Sequence, residues 1–252
     1  MAALHSFPPG GYRFLQGGFP YSQGVIAQAG FEIVRARFAR PLPVAAGFAA
    51  IEAHLGAAGR PLTALCAAEL RSPTPFTMAG FQGFNRGYVA VLERFGLVRD
   101  GLNPVARSNV CPRFEPPAEP CFFAFSYTVP AAEGRGGSDF VVAGSGEWPE
   151  GQAFPEAIVA RGDVSAAGLA AKAHHVIGTM RSRAEGLQGD FARLTAVQVY
   201  TVHDIHPLLA THLAPAGLTA TGLTWQVCAP PILELEFEMD VRRVGCERVV
   251  EG

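Results

Sequence analysis

CFFAFSYTVPAAEGRGGSDFVVAG, residues 121–144, decides how the chain divides. Cys121–Val129 is apolar and aromatic and reads as a strand, and so does Phe140–Gly144. Between them, residues 131–138 (Ala-Ala-Glu-Gly-Arg-Gly-Gly-Ser) are small, polar and glycine-rich, which is the composition of a linker. A cut there leaves units at 1–130 and 139–252, each close to an ordinary domain of about 100–150 residues.

Working outward, both units show one element order. In the first, Phe31–Phe38 alternates apolar and polar residues as a strand does. Val44–Ala58 carries a helical pattern (Phe48, Ile51, Leu55) that stops at Gly59. Leu62–Leu70 reads as a buried strand. Phe81–Phe95 is a second helix, with Phe84, Tyr88, Val91 or Leu92, and Phe95 on one face. Val105–Cys111 precedes Cys121–Val129 as a further strand. In the second unit, Ser165–Ala184 is a helix with Leu169, Ala173, Val176, Ile177 and Met180 inward. Leu194–Val202 is a strand and Pro207–Leu213 a short helix. Leu223–Cys228 and Ile232–Val241 close the unit as strands. Strands with crossover helices predict an α+β fold, each unit a mixed sheet with two helices on one face. The bare face of each sheet then needs a cover, from the other half or another chain.

Composition narrows the function. Of 252 residues, 49% are apolar and 17% charged, a balance that favours a packed core over disorder. A net charge of −2 supplies no basic footprint, so nucleic acid is not an expected partner. No apolar run approaches the roughly 20 residues of a membrane span, and MAALHSFPPGGYRF does not read as a signal peptide. Cys66, Cys111, Cys121, Cys228 and Cys246 are scattered, with no CxxC pair. Neither a disulfide framework nor a metal site is expected, and the cytoplasm is the expected compartment.

Four segments of the first unit carry a resemblance. They are Pro20-Tyr21-Ser22-Gln23-Gly24, the helix Ile51–Gly59 ending in Ala-Gly, Phe84-Asn85-Arg86-Gly87-Tyr88, and Pro104-Val105-Ala106-Arg107-Ser108. In that order, over about 90 residues, they resemble the RidA (YjgF/Rid) family of reactive-intermediate deaminases. The second unit matches in element order and in the glycine turn Gly144-Ser145-Gly146, but 221–225 (Thr-Gly-Leu-Thr-Trp) stands where the arginine segment would be. The resemblance implies two tandem RidA-like (chorismate mutase-like) units, with pockets between adjacent units and a trimeric assembly of chains. It implies a cofactor-independent deaminase of a small carboxylated enamine or imine, with 2-aminomuconate deaminases of aromatic catabolism as attractive relatives. A chorismatase-like enzyme and a non-catalytic ligand-binding or assembly protein are the alternatives.

Residue roles follow from that resemblance. Arg107 is expected to hold the substrate carboxylate through two parallel N–H···O bonds; its rival role is a structural salt bridge. Tyr21 is expected to donate to substrate or water, or else merely to pack. Asn85 is expected at the substrate, or at a backbone bond. Main-chain amides near Gly30 or Gly144 allow close approach. Many family members carry a glutamate in the last strand of the unit, yet Cys121–Tyr127 holds no acid. The second unit has Glu234, Glu236 and Glu238, alternating with Leu233, Leu235 and Phe237. Glu236 falls nearest the family position and is expected as the proton shuttle of a composite site, against a solvated strand face as the plain alternative. A dicarboxylate substrate calls for a second cation, and Arg35, Arg37, Arg71 and Arg86 are equally available. His174-His175 lies badly for a shared metal, and the run Tyr200–His206 reads as turn and cap, with Asp204 capping the short helix.

Overall fold

The computed structural model describes residues 2–133 and 136–251, so 134 and 135 of the linker lie outside the described residues. In chain order the strands and helices are β1 (Leu4–Phe7), β2 (Tyr12–Leu15), β3 (Gly24–Ala27), β4 (Phe31–Pro43), α1 (Val44–Ala57), β5 (Leu65–Arg71), α2 (Met78–Arg94), β6 (Ala106–Pro112) and β7 (Cys121–Pro130). There follow β8 (Phe140–Gly146), α3 (Ala166–Gly186), β9 (Ala196–Tyr200), α4 (His206–Leu208, continued by a π-helical turn Leu209–Leu213), β10 (Leu223–Gln226), β11 (Cys228–Ala229), β12 (Glu238–Arg243) and β13 (Cys246–Val250).

Two mixed sheets result. One runs β11-β6-β5-β7-β4-β13 and the other β1-β2-β3-β8-β12-β9-β10. Four strands of each are laid out alike. In β4-β7-β5-β6 the pairings are antiparallel, antiparallel and parallel, and β8-β12-β9-β10 repeats them. The duplicated α+β plan is therefore present at the level of strand order.

The helices cover one face of each sheet for the reasons their sequences give. Thr77 caps α2 by accepting from Gly80 N (3.1 Å), and Ser165 caps α3 by accepting from Gly168 N (3.2 Å). Phe48, Ile51 and Leu55 of α1 and Tyr88 and Leu92 of α2 pack with Phe122 and Phe125. Ala173, Val176, Met180 and Ala184 of α3 pack on Val142, Val197, Met239 and Val241. Burying each large aliphatic or aromatic side chain stabilises by about 1.5–3 kcal/mol. Gly47 lets α1 approach β7 closely: a Cβ there would lie 2.5 Å from the Phe122 ring.

The bare faces cover one another, through an apolar patch that includes Tyr12, Val25, Ala27, Ile33 and Leu65 and a polar one beside it. Arg35 donates to both carboxylate oxygens of Glu69 (2.6 and 2.8 Å), and Arg242 lies 3.7 Å from the same group. Ser108 and Tyr200 each donate to Asp240 at 2.7 Å. Burial would raise the pKa of Glu69, but Arg35, helped by Arg242 and Arg71, holds it down at about 2.

Three details differ from the sequence reading. The chain ends exchange sheets: β1–β3 join the sheet of the second half through β3 and β8, and β13 pairs in parallel with β4 of the first. Leu223–Cys228 is two strands, since the chain leaves one sheet after Gln226 and joins β6 of the other at Cys228. Ile232–Val241 is a strand only from Glu238. Upstream, Glu234 takes a left-handed turn (φ 77°), and the amides of Glu236 and Phe237 donate to the Glu147 carboxylate (2.7 and 3.1 Å) instead of to a neighbouring strand.

Candidate active site

A cavity of about 670 Å³ opens where β6 and α2 of the first half meet β8, β12 and α3 of the second. Arg107, on β6, is buried at its wall. Its Nη2 donates to Asn85 Oδ1 (2.7 Å), and its guanidinium lies 4.8 Å from the ring centres of both Tyr21 and Tyr88. Its Nη1 is buried without a hydrogen-bond partner among the described residues. So are Asn109 Nδ2 and Trp148 Nε1, which belong to other lining residues. A buried donor left unpaired costs about 1–3 kcal/mol. Three of them around one cavity describe a receptor for an acceptor-rich molecule. Phe81, Ile232 and Leu235 make its apolar wall.

The buried acid of the lining is Glu238. It lies at the first residue of β12, is 4% exposed, and lines the cavity with Arg107. Burial pushes its carboxyl well above the usual range; Asp240 and Glu147 add to this, while Arg107 and Arg183 oppose it. Gly144 makes room for it, since a Cβ at that position would fall 2.3 Å from Glu238 Oε1. Burial likewise raises the Tyr21 phenol, with Arg107 the main opposing charge.

The structure thus brings together Arg107, Asn85, Tyr21 and Gly144, with Arg86 exposed at the rim. Two expected residues lie elsewhere. Gly30 forms a left-handed turn (φ 81°) ahead of β4 and is no part of the lining. Glu236 is also outside the lining: its Oε2 meets His203 Nε2 at 2.7 Å. The physical reason is the bend held by Glu147. Regular alternation begins only at Glu238, so Glu236 does not share that residue's face. The arginine and the acid still come from different halves, as a composite site requires.

Arg35 and Arg37 line a separate groove and Arg71 packs on Phe123, so none of the three reaches the cavity. Asp204 is not the N-cap of α4 as expected: that position is Ile205, which makes no side-chain capping bond, and Asp204 Oδ1 accepts from His206 N (3.0 Å) in a local turn just ahead of it. Sequence reasoning missed Arg183 and Lys172. Both lie on the buried stripe of α3, three residues beyond Met180 and Leu169. A cation repeating at helical spacing inside an apolar stripe was the signal. Lys172 pairs with Glu147 at 3.1 Å, both fully buried, and so secures the bend that leads into Glu238.

Comparison with known proteins shows the family. Residues 4–248 match the family model described as 2-aminomuconate deaminase CnbZ. A 2-amino-5-chloromuconate deaminase of Comamonas testosteroni is 47% identical over 245 residues, 97% of this chain and 98% of the relative. Among solved structures, a chorismatase aligns over 90% of this chain and 78% of its own (TM-score 0.50, 12% identity), a likeness of fold. The YjgF protein of E. coli aligns over 46% of this chain and 93% of its own (TM-score 0.32, 16% identity). Among the described residues no helix is long and apolar enough to cross a membrane. With the family matched over nearly its whole length, the chain belongs to the CnbZ family of 2-aminomuconate deaminases, enzymes that act on a carbon–nitrogen bond.

Proposed function

We propose that the protein hydrolyses 2-aminomuconate or a close muconate-type enamine to ammonia and the 2-oxo acid, without a cofactor. The observation that carries this reading is one cavity holding both Arg107, with a buried nitrogen lacking a partner among the described residues, and Glu238, an acid held above its usual pKa.

Arg107 takes the carboxylate beside the amino-bearing carbon, and Asn85 keeps the guanidinium in place. Tyr21 forms the wall over the guanidinium. Glu238 enters as the neutral acid and gives its proton to the enamine carbon, which leaves an iminium. As carboxylate it then accepts a proton from the water whose oxygen bonds to the adjacent, nitrogen-bearing carbon of the iminium. The nitrogen of the resulting carbinolamine takes a proton from Glu238 and departs as ammonia. The hydroxyl returns a proton to Glu238 as the carbonyl forms. One water is consumed, one ammonia leaves, and the acid is regenerated. Acid–base help of this kind contributes roughly 10²–10⁴ in rate.

The test is coupled ammonia release from 2-aminomuconate, wild type beside Arg107→Ala. Release above the spontaneous rate that the substitution abolishes supports the reading. A folded wild type that releases none sinks it. The working assembly under this reading is a trimer of chains, which light scattering measures.

A further inference from the structure

The first carboxylate of a muconate-type substrate has its partner in Arg107, whereas the second has no assigned partner. Arg183 is the cation that sequence reasoning passed over. It lies on the buried face of α3, 7% exposed, and lines the cavity. Its Nη1 donates to the carbonyls of Ala143 (3.2 Å) and Gly144 (3.4 Å), so the guanidinium is fixed to β8. Gly144 ties it to the rest of the site. The carbonyl of that glycine holds Arg183, while a side chain at its position would run into Glu238 Oε1 and Ser108, the neighbour of Arg107 in β6.

Two further observations point to a ligand at this end. Trp148 Nε1 is a buried donor with no partner among the described residues, and Trp148 and Arg183 both line the cavity. The one carboxylate on Arg183 is Glu150 Oε2, at 3.3 Å, and Glu150 is 40% exposed. Glu150 also accepts from Gln23 Nε2 at 2.7 Å, so it keeps a partner if Arg183 turns to another anion. A half-exposed ion pair is weak and exchanges readily.

We infer that Arg183, with Trp148 Nε1, binds the distal carboxylate of a six-carbon dicarboxylate whose proximal carboxylate lies on Arg107, and that Glu150 holds this place until the substrate enters. The inference rests on the deaminase reading of the cavity. It makes Arg183 a specificity residue, one that separates dicarboxylates from monocarboxylates of the same length.

The test is calorimetric binding of two unreactive ligands, trans,trans-muconate and sorbate, the same six-carbon diene with and without the second carboxylate. Because no turnover is needed, failure here is distinct from failure to release ammonia. Wild type binds muconate more tightly than sorbate by about ten- to a hundredfold, the range of a hydrogen bond to a charged group. Arg183→Gln brings the ratio close to one, and Arg183→Lys restores part of it. Glu150→Gln, which withdraws the competing charge, raises the ratio above wild type, and this variant decides the matter if Arg183→Gln does not fold. The inference is overturned by equal binding of the two ligands to wild type, or by a ratio unchanged in Glu150→Gln. It is also overturned if the preference survives in Arg183→Gln and disappears in Arg86→Gln.

Discussion

The duplicated strand order creates two clefts between the halves, and they have different fates. One lies between β6 of the first sheet and β8 and β12 of the second; the other lies between β9 and β10 of the second and β4 and β7 of the first. The second cleft, of about 460 Å³, is lined by three arginines as the first is, here Arg35, Arg37 and Arg242. Yet Arg35 and Arg242 are committed to Glu69, Asp240 and Glu247. In the first cleft Arg107 meets a neutral amide and four aromatic rings, and one of its nitrogens has no partner among the described residues. Arg35 and Arg242 are met by carboxylates that tie the two sheets together, whereas Arg107 keeps a buried donor unmet among the described residues.

That contrast can be broken by substitution. The largest effect is expected at Glu238→Gln, which lowers kcat by roughly 10²–10⁴, while Glu236→Gln leaves kcat near wild type. The same variant has a pH signature. The folded-state pKa of Glu238 is raised, so its contribution to stability is present at low pH and is lost as pH rises through that value. The glutamine variant lacks this loss and should melt above wild type in alkaline buffer. An equal melting temperature there contradicts the assigned burial cost.

Next comes Arg107→Ala, with kcat/KM down by about 2–5 kcal/mol of transition-state binding. Arg107→Lys should recover little, because a point charge cannot form the paired contact. Substantial recovery would mean that charge alone suffices.

In the other cleft the same kind of change should act on stability. Arg35→Met strands a buried Glu69 and costs about 3–5 kcal/mol in denaturant unfolding, with kcat/KM of the folded fraction unchanged. The depressed pKa of Glu69 contributes stability above the ordinary carboxylate pKa that is lost as pH falls through about 2. Wild type should therefore have an acid limb between about pH 4 and 2, weakened in Arg35→Met. Loss of activity with stability intact would show that the second cleft is functional. The smallest effect is expected at Arg37→Ala, whose guanidinium donates only to a backbone carbonyl, at 3.3 Å. A shift beyond about 0.5 kcal/mol would be out of line with such a contact.

How far each residue was legible depended on whether its role is local. Thr77, Ser165 and the stripe of α3 act within a few residues, and periodicity and capping chemistry expose them. Arg107, Asn85 and Tyr21 came from motifs. Glu238 and Glu236 are two residues apart on what reads as a single alternating strand. They go to different places because the Glu147 carboxylate, some 90 residues upstream, takes the two amides before the strand begins. Nothing near Glu236 encodes that bend.

The order of elements, the duplication and the motif around Arg107 were written in the chain itself, because hydrophobic periodicity, turn residues and short motifs are local properties. The exchange of the end strands between sheets, the choice of Glu238, and the recruitment of Arg183 and Trp148 arose only on folding. Each depends on a hydrogen-bond partner or a desolvating neighbour supplied by a distant part of the chain, and local sequence carries no record of which backbone or carboxylate will stand beside it.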